Sequence, residues 1–164
     1  MPTTRQYQRQ TGIINNMVST RDAVIASLKT KLETITTGNG YQQSVGDVLD
    51  YPVQMADLDG YDFPIVSIVM GSNTNDPFIG GAEDYLWNVG LRCYLEDVDT
   101  DDVKASVNEM IEDVNKLIFE DPTLGNASVI ETNISMSGPP FIWTDLGTPA
   151  ICDIQLQIRY RKTF

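Results

Sequence analysis

The chain has 164 residues, 41% of them apolar, and carries a formal net charge of −12 with no histidine at all. A chain this long suits one domain and can bury roughly 70% of its unfolded surface, which excludes wholesale disorder, and its acidity excludes a general affinity for nucleic-acid phosphates. Without histidine there is no Ser-His-Asp or Cys-His pair and no His-containing zinc site.

Residues 1–18 read as an N-terminal arm, polar where Arg5 and Arg9 stand around Tyr7, and apolar only towards Ile13, Ile14, Met17 and Val18. Nothing in it resembles a signal-peptide core, and no apolar run in the chain approaches the roughly 20 residues that span a bilayer. The expectation is a soluble protein with no membrane contact. Residues 19–164 form the single domain. Ser19 or Thr20 is a good N-cap for a helix over residues 21 to about 36. Val24, Ile25, Leu28, Leu32 and Ile35 fall on one face of it, and Lys29, Lys31 and Glu33 fall away from that face. Thr37-Gly38-Asn39-Gly40 stops the helix, because glycine and asparagine accept left-handed backbone at low cost.

Residues 45–54 predict a short, weak strand with Val45, Val48 and Tyr51, and residues 57–62 a turn. Residues 63–70 are apolar and β-branched, so they predict a buried strand, with Pro64 at its beginning or on a sheet edge. A polar loop over residues 71–82 holds Asn73, Asn75 and Phe78. Residues 83–95 alternate, with Tyr85, Trp87, Val89, Leu91, Cys93 and Leu95 on the inward face. Asp99 or Thr100 caps a second helix whose buried stripe is Val103, Val107, Met110, Ile111, Val114, Leu117 and Ile118. It stops at residues 121–126. Residues 127–137 alternate again, Val129 on one face and Ile130, Ile134 and Met136 on the other. A proline-rich loop over residues 137–149 carries Phe141 and Trp143, and residues 150–161 close the fold with Cys152, Ile154, Leu156, Ile158 and Tyr160 inward. The order is α-β-β-β-α-β-β. It predicts an α+β fold with a mainly antiparallel four- to five-stranded sheet and two helices on one face.

Chemistry is hard to find in this pattern. Asp97, Asp99 and Asp101 alternate as in a calcium loop, but that loop needs glycine and glutamate where Asp102 and Asn108 stand, so helix capping explains them better. Asp57, Asp59 and Asp62 suit a turn. Cys93 and Cys152 read as buried, reduced side chains, which fits a cytoplasmic setting. Arg92 is expected to pair with an acid. The expectation is no enzyme, no metal and no cofactor.

Charge is uneven. Residues 1–32 hold Arg5, Arg9, Arg21, Lys29 and Lys31 against Asp22 alone, and residues 159–164 add Arg159, Arg161 and Lys162. All the other acids lie between these ends with only Arg92, Lys104 and Lys116. Solubility is the plain explanation; basic ends of one copy meeting acidic faces of another is the sharper one.

Several features in order resemble the tail terminators of long-tailed phages. These are a first amphipathic helix running into ITTGNGY (35–41), then VGDVLDYP (45–52), then an aliphatic strand from Pro64 to Ile68. The long strand YLWNVGLRCYLED (85–97), a helix ending IFEDPTLG (118–125) and a last strand ending IRYRKTF (158–164) follow. The resemblance covers roughly residues 20–162 and leaves out the arm. It implies a ring, usually hexameric, that seats on the last ring of the tail tube protein, stops tube polymerisation and meets a head-side connector or stopper. It would pass DNA through its lumen without binding it, as a virion part assembled in the host cytoplasm. The contacts with its own copies and with those partners are expected from the arm (Arg5, Tyr7, Arg9), the two loops (Asn73, Asn75, Phe78; Phe141, Trp143) and the basic end (Arg159, Arg161). Another connector, stopper or tail-tube protein is the nearest alternative. A disordered insertion or a β-hairpin reaching the tube would mark it, and the short loops predict neither. A small acidic carboxylate enzyme or ligand-binding module is the more distant one.

Overall fold

Ser19 sets the start of the first helix: its hydroxyl oxygen accepts the Asp22 amide hydrogen at 3.1 Å. A computed structural model describes residues 19–77, 82–96, 100–137 and 150–163. The elements are α1 (Thr20–Leu32), β1 (Asp47–Leu49), β2 (Ile65–Pro77), β3 (Ala82–Leu95), α2 (Thr100–Glu120), β4 (Val129–Ser137) and β5 (Ala150–Thr163). This is the expected α+β order. α1 ends sooner than its apolar spacing suggested. The Thr34 hydroxyl donates to the Lys31 carbonyl at 2.6 Å, and a 3-10 turn at Thr37–Asn39 follows, yet Ile35 stays fully buried.

The five strands lie in the order β1-β2-β3-β5-β4. β1 runs parallel to β2, and every other pair is antiparallel. β3 and β5 form the centre, paired from Ala82↔Thr163 to Leu95↔Ala150. On one face Trp87, Val89, Leu91, Cys93 and Leu95 stand beside Ile158, Leu156, Ile154, Cys152 and Ala150. Both helices cover that face, with Val24, Leu28 and Leu32 from α1 and Val107, Met110 and Val114 from α2 in one core.

The opposite face is partly covered as well. Residues 50–64 cross over it between β1 and β2, which is how two adjacent strands come to run parallel. Leu49, Leu58, Ile65 and Tyr94 form a second, smaller core there, joined by Val53, Met55, Tyr61 and Phe63. The Tyr94 hydroxyl donates to the Val53 carbonyl at 2.6 Å, and the Ser67 hydroxyl to the Tyr51 carbonyl at 2.8 Å.

Three expectations need correction. The strand over residues 45–54 is cut to β1, because Gly46 gives its amide hydrogen to the Pro64 carbonyl and the chain then turns over the sheet. The loop over residues 71–82 is largely the outer half of a β2–β3 hairpin, paired as far as Pro77↔Glu83. Its polar sequence hid it, since residues 71–75 are exposed. In β4, bulges at Val129/Glu131 and Ile134/Met136 reset the alternation. Val129 and Ile134 therefore share the core side with buried Thr132, and Ile130 and Met136 are exposed.

A polar clasp holds the α1–β1 connection onto α2. The buried Asp113 carboxylate accepts the amide hydrogens of Gln42 at 2.9 Å and Gln43 at 2.7 Å. The Lys116 ammonium donates to the Gly40 carbonyl at 2.7 Å and lies 4.7 Å from the centre of the Tyr41 ring. Asp113→Ala is expected to lower the unfolding free energy by about 2–3 kcal/mol, because two amides lose a charged acceptor. A urea midpoint close to that of the wild type would show that water replaces it. Gly46→Ala is expected to disturb β1 as well, since the added Cβ would sit 2.2 Å from the Asp62 carbonyl oxygen.

Candidate functional site

The outer end of the sheet, where β2, β3 and β5 run on together, gathers a cluster of aromatic and polar side chains. Its floor is aromatic. Trp87 is fully buried, meets Tyr160 edge-on at 6.2 Å, and has the Arg21 guanidinium 4.3 Å from its ring centre. Tyr160 stacks in turn on Tyr85 at 5.2 Å. The β2 bulge between Met70 and Asn73 turns the Gly71 carbonyl to accept the Trp87 indole hydrogen at 3.3 Å. Only glycine fits there, because a Cβ would stand 2.6 Å from the Asn88 carbonyl oxygen.

On the other face of the same strands Asp84 is almost wholly buried and clamped by two arginines. Arg161 donates to both of its oxygens, Nε at 2.7 Å and Nη2 at 3.0 Å, and Arg159 Nη2 reaches it at 3.3 Å. Arg159 also stands 3.9 Å from Glu131 on β4. The Arg161 hydrogen bonds first, then the positive charge of both arginines, hold the Asp84 carboxyl below the usual carboxylate range against the opposing effect of burial. Further along this face Arg92 forms a two-point pair with Asp153 at 2.8 and 2.9 Å, the acid partner expected for it.

Residues 72–75 are exposed on β2, and their side chains all reach inwards across the sheet. Asn88 donates to the Ser72 hydroxyl oxygen at 3.0 Å, and Asn73 donates to the Tyr160 hydroxyl at 3.3 Å. Thr74 donates to the Leu86 carbonyl at 3.4 Å, and Asn75 to Glu83 at 3.5 Å. Of the interface residues read from the sequence, Asn73, Asn75, Arg159 and Arg161 therefore meet at this one end of the sheet. The charges of Arg159 and Arg161 are answered within the chain by Asp84. Arg5, Tyr7, Arg9, Phe78, Phe141 and Trp143 lie outside the described residues, as do Asp97 and Asp99 of the acidic run. Met70, Ile130 and Met136, exposed on the outer strands, were missed; the bulge that parts Met136 from the face of Ile134 leaves no mark in a strict alternation.

Two shallow cavities flank this face. One of about 430 Å³ is lined by Val53, Gln54, Met55, Arg92, Tyr94, Ile151 and Asp153. The other, of about 320 Å³, is lined by residues that include Thr74, Asp84, Tyr85, Glu131 and Arg159. Asp153 of the Arg92 pair and Asp84 of the clamp already accept hydrogen bonds from arginine. Among the described residues no group of three Cys, Asp or Glu side chains is placed to hold a metal ion. Cys93 and Cys152 stand opposite each other on β3 and β5, both fully buried, and a hydrogen bond between them together with burial pushes the Cys93 thiol well up. No protein-family model matches the chain, and no curated protein matches it.

Because the folded pKa of Asp84 is depressed, its contribution to stability is present above the ordinary aspartate value of about 3.9 and is lost as pH falls through the lower folded value. Asp84→Asn should therefore melt lower than the wild type at neutral pH, with the gap closing in acid. A gap independent of pH between 7 and acid would show that the clamp acts by packing alone. The buried thiols should react with a thiol reagent only after unfolding, and rapid labelling of the native protein would contradict this.

Proposed function

We propose that the chain is a structural virion protein of a phage neck, a tail-terminator-like subunit that closes into a ring on the tail tube and presents a surface to the head-side connector. The observation that carries this reading is that, among the described residues, the sheet is open at both of its edges. β1 covers only three residues of β2, and no described strand covers the outer side of β4. A sheet finished at neither edge suits a subunit completed by neighbouring copies. The reading is supported further by the use of the buried acids Asp84 and Asp113 as structural acceptors. An acidic wall also suits a lumen through which DNA passes without sticking. The N-terminal arm and the loop over residues 137–149 would supply contacts to the tube protein and connector.

One observation favours the nearest alternative, another connector, stopper or tail-tube protein. The β2–β3 hairpin has strands of 13 and 14 residues, and residues 71–75 in its outer half on β2 are exposed and mainly polar. Such a hairpin is the feature a tube-reaching component would use, and under the terminator reading it is the part of the ring that touches the tube.

Negative-stain images of the purified protein, alone and mixed with tail tubes, test the proposal. Rings at tube ends and a narrower length distribution are expected. Particles that incorporate along the tube would favour the tube-protein reading, and tubes whose length and ends stay unchanged would overturn both. Deleting residues 1–12 is expected to weaken capping without lowering the melting temperature.

A further inference from the structure

The outer strands carry most of what the fold leaves unsatisfied. β2 pairs with β1 through Ile65, Val66 and Ser67 alone, so residues 68–77 present a row of backbone N–H and C=O groups that no described strand meets. β4 presents a second row, nine residues long, on the opposite side of the sheet. Natural edges are guarded by lysine, proline, inward charge, bulges or a covering element, and of these β2 and β4 carry bulges, with Pro77 at the end of β2. Neither segment contains lysine or arginine. Instead each edge exposes large apolar side chains, Met70 on β2 at 52% and Ile130 and Met136 on β4 at 38% and 61%. Only Tyr51 and Phe119 are comparable among the described residues. The polar side chains at 72–75 are turned back across the sheet, so they leave the outer row of β2 uncapped.

We propose that these two edges are the two halves of one interface, with β4 of one copy adding to β2 of the next. This deepens the ring reading above and rests on it for closure. Topology fixes the direction. β2 is antiparallel to β3, β3 to β5 and β5 to β4, so β2 and β4 run in opposite senses. A neighbouring copy that continues the sheet with its strands in the same sense lays its β2 antiparallel beside β4 of the first, the more stable of the two ladder geometries. The lengths match, and charge does not oppose the contact. Each segment holds one acid, Asp76 and Glu131, and Glu131 already faces Arg159. Met70 lies on the helix-covered face with its partner Val89, and Ile130 and Met136 on the opposite face, so each is covered on its own side of the joint by the neighbour's strand. Every copy spends one edge of each kind, so the contact is heterologous and repeats until it closes into a ring.

The test uses the full chain carrying Ser72→Cys and Ser135→Cys, singly and together, with a short bis-maleimide; both native cysteines are buried. The double variant is expected to give covalent dimers and higher multimers, and the single variants none. Met70→Asp and Met136→Asp alter side chains already exposed in one copy, so the melting temperature should hold. By sedimentation, self-association should weaken by about tenfold or more, the cost of a charge where a methionine would be buried. Cross-linked dimers from either single variant would mean symmetric pairing of like edges and overturn the inference. A protein that stays monomeric at every concentration would overturn it too. Oligomers that form without the paired cross-link would remove the edge pairing and leave the ring standing. Cross-linked multimers that never cap a tube would keep the pairing and remove the neck reading.

Discussion

The antiparallel pairing of β3 with β5 is the constraint on which the rest of this structure depends. The two strands pair along their whole lengths and place Trp87, Val89, Leu91 and Cys93 beside Ile158, Leu156, Ile154 and Cys152. A strand has a period of two, so one register decides the face of every side chain at once. The apolar floor that results can be covered only by an amphipathic element. α1 and α2, with their apolar stripes, settle on that side. Polar positions of the same two strands are thereby forced together on the other face, where Arg92 meets Asp153 and Arg161 meets Asp84.

The same pairing explains why the molecule has edges. With β3 and β5 at the centre, β2 and β4 lie outside, and among the described residues each has only one full-length neighbour. β1 is too short to cover β2, because residues 50–64 are taken up in crossing the opposite face to build the second core around Tyr94 and Leu58. In β4 the bulge between Ile134 and Met136 then brings Met136 to the surface. Under the proposed edge pairing, assembly would complete a sheet that the described residues leave open.

Charge serves structure more than chemistry. The acidic body and basic ends looked from the sequence like complementary surfaces of separate copies. Part of that complementarity is satisfied within the chain, where the arginines at the end of β5 fold back onto Asp84 and Lys31 pairs with Asp121 at 2.7 Å. Buried anions of this kind are stable only with full sets of donors. Asp113 meets the requirement with two backbone amides, and it ties the α1–β1 connection to α2.

The sequence by itself determined the order of elements, the two helical stripes and the inward faces of β3 and β5. These follow from local periodicity in strongly apolar segments, where each residue's position along the chain dictates its face. It also determined the burial of both cysteines and that Arg92 pairs with an acid, while the β3–β5 register decided that the acid is Asp153. What only the tertiary structure decided were matters of neighbours. The outer half of β2 is a strand because β3 supplies a ladder for it, although its own Ser, Asn and Thr residues carry no apolar signal. The faces of Ile130, Ile134 and Met136 depended on bulges, which are set by pairing with β5. Whether Arg159 and Arg161 faced a neighbouring copy or their own Asp84 depended on residues 75 and 77 positions apart meeting across the sheet. No local pattern encodes such a meeting, because it is fixed by strand register and not by sequence spacing.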